Sequence, residues 1–159
     1  MTEVKIKKVR SGASLPAYAT DGAAAVDLFA ALDAPLTLSP GERRLIPTGI
    51  ALSIPKDTVA VLSARSGLSA KKGITAANGI GVIDSDYRGE IFFSAVNLSD
   101  EPYTVGPGER VAQLMLLPVC TMKFLLSEEL DATERGEGGF GSTGKSAADL
   151  EKGRQGEPC

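Results

Sequence analysis

The chain has 159 residues, 43% hydrophobic and 23% charged, values that fit one globular domain with a core of its own rather than a disordered segment. A net charge of −3 gives no reason to expect nucleic acid or a membrane surface as partner, and no apolar run approaches the ~18 residues of a membrane helix. Histidine is absent, so any general base must be a carboxylate, lysine, tyrosine or thiolate, and any metal a hard, oxygen-liganded ion such as Mg²⁺.

The first residues, Met-Thr-Glu-Val-Lys, lack the apolar core of a signal peptide, which makes a cytoplasmic protein the expectation. Short β-type runs follow at 4–9, 26–29, 36–38, 45–46, 50–54, 59–62, 91–98 and 111–117, with 18 glycines and 9 prolines spread along the chain. This spacing predicts an all-β fold, a sandwich or barrel with little helix. Ile50, Leu52 and Ile54 alternate with Ala51 and Ser53, the pattern of a half-buried strand.

In the run 25–29, Asp27 stands alone among apolar residues. A buried carboxylate is costly unless paired, so Asp27 is either a satisfied structural acid or a group in the outer shell of a metal. The sequence Ser39-Pro40-Gly41-Glu42-Arg43 recurs as Gly106-Pro107-Gly108-Glu109-Arg110, each before an apolar strand. Proline presets φ at the second turn position and glycine supplies a positive φ at the third, so both predict type II turns. The second leads towards the polar Gln113.

The strand at 59–62 runs into Arg65-Ser66-Gly67, which can offer phosphate oxygens a guanidinium, a hydroxyl and open backbone N–H groups. A short helical turn is expected near 67–72. The stretch 81–91 sets Asp84, Asp86 and Tyr87 between apolar Val82-Ile83 and Ile91-Phe92-Phe93, which predicts a β-hairpin with carboxylates and a ring at its mouth. Taken alone, Asp-Ser-Asp also fits a plain solvated turn.

Residues 131–144 hold five glycines and one large apolar side chain, Phe140, near Arg135, Ser142 and Thr143. Such a segment cannot build a core; it suits a ring for stacking plus donors for phosphate, ordered by what it binds. Residues 145–159 are expected to be a disordered tail. Gly139 to Ser146 spells the P-loop pattern, but the preceding stretch is polar and 13 residues remain after it, too few for the βα framework that motif needs. Cys120 and Cys159 suit neither a disulfide framework nor a metal site.

In this order, Ala25-Val26-Asp27-Leu28, Arg65-Ser66-Gly67, the stretch from Gly81 to Gly89, Gly108-Glu109-Arg110-Val111-Ala112-Gln113-Leu114 and the stretch from Arg135 to Gly144 resemble the five motifs of the trimeric dUTP pyrophosphatases (dUTPases), over about residues 4–144. Ala64 and Ala25 replace the proline and glycine of many members. The resemblance implies a distorted, jelly-roll-like β-barrel over 1–130, an arm over 131–144 exchanged within a homotrimer, and hydrolysis of dUTP to dUMP and pyrophosphate. That reaction limits uracil in DNA and supplies dUMP for dTMP synthesis.

It implies that Asp84 activates the attacking water and that Tyr87 packs on the deoxyribose. Asn78, with the backbone at Val82 and Ile83, would read uracil, Phe92 adding a backbone contact. Arg65, Ser66, Gly67 and Gln113 would hold phosphates and ordered water, and Asp27 would contact water bound to Mg²⁺. From the arm, Phe140 would stack on uracil while Arg135, Gly141 and Ser142 close over the γ-phosphate. The dCTP deaminases share the fold, but the position of their catalytic glutamate falls here on Ser94, which cannot shuttle a proton. A non-enzymatic nucleotide-binding trimer is the second alternative, and Asp84→Asn separates it from an enzyme.

Overall fold

A computed structural model describes residues 2–140. Gly141, Ser142, the tail 145–159 and most of the P-loop-like stretch lie outside the described residues. The chain forms two units, residues 1–121 and 122–159.

In chain order the first unit contains β1 (Lys5–Lys8), β2 (Ala17–Tyr18), β3 (Val26–Phe29), β4 (Leu36–Leu38), β5 (Arg43–Pro47), β6 (Ile50–Ser53) and β7 (Thr58–Ala64). Helix α1 (Ser66–Lys72) follows, then β8 (Ile74–Ala76), β9 (Gly81–Ile83), β10 (Phe92–Asn97), β11 (Tyr103–Val105) and β12 (Arg110–Pro118). The all-β expectation holds, with one short helix where a helical turn was expected. The barrel requires correction: the strands lie in four open sheets ordered β1-β6, β5-β10-β8, β11-β4 and β2-β3-β12-β7-β9, and none closes on itself. The largest sheet ends on β2 and β9, strands of two and three residues. Ladders so short run out of pairing before they can turn back and close.

The sheets share one apolar core. Leu28, Leu38, Ile46, Ile50, Ile74, Phe93, Val105 and Val111 are all essentially inaccessible, each drawn from a different strand. On β6 the alternation is less clean than the sequence predicts, because Ala51 is buried as well as Ile50 and Leu52. Ala51 pairs with Lys7 of the flanking strand β1, whose four residues are exposed. A lysine-rich edge strand of this kind discourages further pairing.

The twin turns form as expected. Gly41 and Gly108 adopt φ of 74° and 75°. The Glu42 N–H donates to the Ser39 carbonyl at 3.0 Å and the Glu109 N–H to the Gly106 carbonyl at 3.2 Å. Each glutamate then folds back, accepting at 2.8 Å from the Ser39 N–H and at 2.9 Å from the Gly106 N–H. A Cβ at Gly108 would meet nothing within 4 Å, so only the backbone conformation opposes a side chain there. Gly108→Ala should therefore cost about 1 kcal/mol in urea unfolding, the strain of a left-handed alanine without a steric clash.

The hairpin expected at 81–91 does not form. β9 pairs with β7, whereas β10 pairs with β5 and β8. The acidic turn is thus a crossing from one sheet to another. Pairing partners are set by the whole sheet, which an alternation of apolar runs on either side of a turn cannot reveal.

Of the second unit, residues 122–140 are described. They hold no strand or helix; turns at 133–138 are tied by Gly136 N–H to the Thr133 carbonyl at 3.1 Å and by Arg135 Nε to the Gly138 carbonyl at 2.8 Å. Met122, Phe124, Leu125, Leu126, Leu130 and Phe140 are exposed.

Candidate active site

The best-organised polar cluster is built across three neighbouring strands. Asp27 on β3 lies opposite Gln113 on β12, which lies opposite Ser63 on β7. Two residues beyond Ser63 the strand has ended and Arg65, extended at φ −74° and ψ 134°, precedes the first turn of α1, where Ser66 and Gly67 stand. Asp27 is 3% exposed, yet neither oxygen is bare. Arg65 Nε donates to Oδ1 and Arg110 Nη1 to Oδ2, both at 3.1 Å, and the Gln113 amide reaches Oδ1 at 3.5 Å. Asp27 is therefore a paired acid.

Arg110 was not singled out from the sequence, for a geometric reason. It is three residues from Gln113, so a regular strand would turn the two side chains to opposite faces. The register slips between Arg110 and Ala112, setting Arg110 opposite Phe29 where a regular ladder would set Val111. Residues directly opposite share a face, so this bulge turns Arg110 towards Asp27, two residues from Phe29. The remaining signal was the arginine itself, recurring after both Pro-Gly-Glu turns.

Arg65, Gly67, Leu68, Lys71, Lys72, Tyr103, Glu109 and Arg110 line an open cleft of about 310 Å³. Four of these carry positive charge and one negative, so an otherwise acidic protein concentrates cations along this cleft. The Tyr103 hydroxyl donates to Glu109, and its pKa is pushed up to about 12, by burial first and then by that carboxylate. It stays a neutral donor throughout the working pH range.

The acidic turn lies elsewhere. Ile83 of β9 pairs with Ala60 of β7, and Asp84 continues past it, away from the end of β7 that leads to Arg65. The four residue steps from Ala60 to Ala64 alone span about 13 Å at a strand's rise of ~3.3 Å. One chain thus sorts the candidate residues into two groups. Asp27, Arg65, Ser66, Gly67 and Gln113 gather at one end of the five-stranded sheet. Val82, Ile83, Asp84 and Tyr87 gather beyond the other, and Asn78 stands near the start of β10, where Ala77 N–H donates to the Ser94 carbonyl at 2.8 Å, two residues from Phe92.

Asp84 and Tyr87 are exposed, and the Tyr87 N–H donates to the Asp84 carbonyl at 3.1 Å, closing the turn. The Tyr87 hydroxyl donates to the Glu90 carbonyl at 3.0 Å, which draws the ring over Gly89. A Cβ on Gly89 would lie 2.3 Å from that hydroxyl oxygen, so the glycine is the seat on which the ring rests. Phe92 is partly exposed beneath the Arg10 guanidinium, 6.0 Å from the ring centroid. Hydrogen bonding to Glu90 raises the Arg10 pKa further, so this cation is permanent. Arg135 and Phe140 belong to the second unit, while Gly141 and Ser142 fall outside the described residues.

No group of three potential metal-binding side chains occurs among the described residues. Asp27, with an arginine on each oxygen, is not free to ligate a cation directly, though each oxygen has a further lone pair able to accept from metal-bound water. No helix among the described residues is long and apolar enough to cross a membrane.

Residues 11–144 match the family model described as dUTPase. The deoxyuridine 5'-triphosphate nucleotidohydrolase of Desulfitobacterium hafniense is 53% identical over 91% of this chain and 97% of its own. The protein of the same name from Aeromonas hydrophila is 49% identical over 90% of this chain and 96% of its own. Among solved structures, the dUTPase of Staphylococcus bacteriophage 80alpha with dUpNHpp superposes with a TM-score of 0.84 at 29% identity, covering 91% of this chain and all of that one. With the family model spanning both groups of candidate residues and relatives near 50% identical over nine-tenths of its length, the chain belongs to the dUTPase family.

Proposed function

We propose that the protein hydrolyses dUTP to dUMP and pyrophosphate, which limits uracil in DNA and provides dUMP for dTMP synthesis. The observation that carries this reading is the exposed turn holding Asp84 beside a Tyr87 ring fixed on Gly89, in a chain matched by the dUTPase family from 11 to 144. Asp84, in a chain without histidine, is the base that orients and deprotonates water for attack on the α-phosphate. The Tyr87 ring packs against deoxyribose and leaves no room for a 2′-hydroxyl. The Asn78 amide offers both donor and acceptor to the uracil edge, joined by backbone at Val82 and Ile83 and by Phe92.

The separation of the two groups within one chain has a direct consequence: a complete site needs another copy of the chain. In this reading a homotrimer brings the phosphate-holding group of one protomer, with Arg65, Ser66, Gly67 and Gln113, against the Asp84 turn of the next. The body over 1–130 carries these groups. The arm over 131–144 comes from a further protomer, stacking Phe140 on the base and closing Arg135, Gly141 and Ser142 over the γ-phosphate, with 145–159 as a tail beyond it. Such closure excludes water from all but the attacking position.

The donor set suits Mg²⁺ carried on the triphosphate rather than caged by protein, with Asp27 and Gln113 facing its bound water. The cation supplies neutralisation of the phosphate charge that develops as the leaving pyrophosphate separates. Arg65 and the N–H groups at Ser66 and Gly67 add fixed donors for the same oxygens. A soluble, cytoplasmic enzyme is the setting this reading fits.

The test is product analysis with Mg²⁺ and dUTP, UTP, dCTP or dTTP offered separately. dUTP alone should disappear, giving dUMP and pyrophosphate in equal amounts. Release of ammonia from dCTP would overturn the assignment in favour of a deaminase, and hydrolysis of all four would overturn the roles of Tyr87 and Asn78.

A further inference from the structure

Tyr87 has to be held still if its ring is to tell deoxyribose from ribose. Its own turn cannot do this, because the ring is 45% exposed and its hydroxyl is fixed only by the backbone carbonyl of Glu90. What fixes Glu90 comes from far along the chain. Its Oε1 accepts from Arg10 Nε at 2.6 Å and from the Gly49 N–H at 2.9 Å, and the carboxylate-bearing side chain is only 14% exposed.

The next residue is clamped to the same strands. Ile91 N–H donates to the Ile50 carbonyl at 2.9 Å, and its own carbonyl accepts from Thr48 N–H at 3.2 Å and Thr48 Oγ1 at 2.6 Å. Thr48 is itself buried. The Glu90 peptide is thus pinned on its side-chain and C-terminal sides to the turn between β5 and β6, while Arg10 reaches across to it and lies over Phe92.

We propose that Glu90, locked by Arg10 and the Gly49 amide, is a positioning residue that holds the Tyr87 ring on Gly89 and so sets discrimination between dUTP and UTP. The inference rests on the reading of Tyr87 as the residue that packs against the sugar. Neither Glu90 nor Arg10 touches the nucleotide; both act through the carbonyl that holds the Tyr87 hydroxyl. Loss of either lets the ring leave its seat, which opens space for a 2′-hydroxyl and loosens contact with dUTP. The water-activating Asp84 is left in place.

The test measures kcat and KM for dUTP and UTP in the wild-type protein and in Tyr87→Ala, Glu90→Ala, Glu90→Gln, Arg10→Ala and Gly89→Ala. Glu90→Ala, Arg10→Ala and Gly89→Ala should lower the dUTP-to-UTP ratio of kcat/KM about tenfold, mainly by raising KM for dUTP with kcat nearly kept. Glu90→Gln keeps an acceptor for the Gly49 N–H and should keep most of the ratio.

If Tyr87→Ala loses discrimination while Arg10→Ala and Glu90→Ala retain it, the positioning role is overturned and the sugar contact stands. If Tyr87→Ala itself retains discrimination, the sugar contact is overturned and the positioning role falls with it. Equal loss of kcat for both nucleotides in Arg10→Ala would mark a merely structural tie. Should Glu90→Ala fail to fold, Arg10→Ala decides, because that side chain is 43% exposed.

Discussion

Asp84→Asn should lower kcat for dUTP by about a thousandfold while leaving nucleotide binding within a fewfold of wild type, the size expected for removing a general base. Asparagine keeps the shape of the side chain and can still orient a water through its amide, but it cannot take the proton. The turn itself is held by the backbone, Tyr87 N–H to the Asp84 carbonyl, so its geometry does not depend on the carboxylate. Fluorescent-nucleotide titration beside single-turnover hydrolysis separates the two effects. Loss of binding in step with turnover would mean that Asp84 holds substrate rather than activating water.

The same variant tests whether the site is shared. Asp84 and Ser66 lie at opposite ends of the β7–β9 pairing in one chain, so the proposed site brings them together only between chains. Asp84→Asn and Ser66→Ala should each be nearly inactive alone. Unfolded together in equal amounts and refolded, they should recover about a quarter of wild-type activity, because one site in four draws both groups from unaltered surfaces in a randomly mixed symmetric oligomer. A mixture no more active than its components would place the whole site within one chain.

These contrasts show where the sequence was informative. Runs of β-branched and aromatic residues between glycines and prolines marked most strands, though not the short β2, β8 and β11, because strand propensity and turn chemistry are local properties. The Pro-Gly-Glu turns were legible for the same reason, since φ at the glycine and the glutamate's reach to its own turn are settled within four residues. Pairing partners were not legible. The stretch 81–91 has every local mark of a hairpin, yet its flanking strands join different sheets, and only the competition among all the strands decides that.

The site divides along the same line. Asp84, Tyr87 and the Arg65-Ser66-Gly67 corner stand out as polar residues where apolar strands end. Arg110 does not, because its face is set by a one-residue slip that no period-two pattern contains. Glu90 and Arg10 were equally hidden: 80 residues apart, they look like two unrelated surface charges until the fold brings them within 2.6 Å.

Asp27→Ala should destabilise the protein by about 3 kcal/mol, towards the low end of the cost of breaking a buried ion pair. The acid is buried, but Arg65 and Arg110 keep 27% and 49% of their side-chain surface exposed, so after the change each can recover part of its hydration. At fixed protein concentration this corresponds to a fall in Tm of about 9 °C for a domain of this size.

Asp27→Asn distinguishes the two things an acid at this place can do. It keeps one acceptor for the arginines but removes the charge that holds both. As a structural acid alone, Asp27 would lose stability on this change while the Mg²⁺ concentration for half-maximal activity stayed the same. As an acid that also faces metal-bound water, it would raise that concentration severalfold, and the shift would persist at temperatures far below unfolding. Because Arg65 carries its charge from Asp27 towards the cleft with Gly67 and Lys71, a structural acid here also sets where the guanidinium proposed to hold phosphate points. Stability and phosphate affinity should then fall together in Asp27→Ala, whereas Arg110→Ala, which leaves the Arg65 pairing intact, should lose the first more than the second.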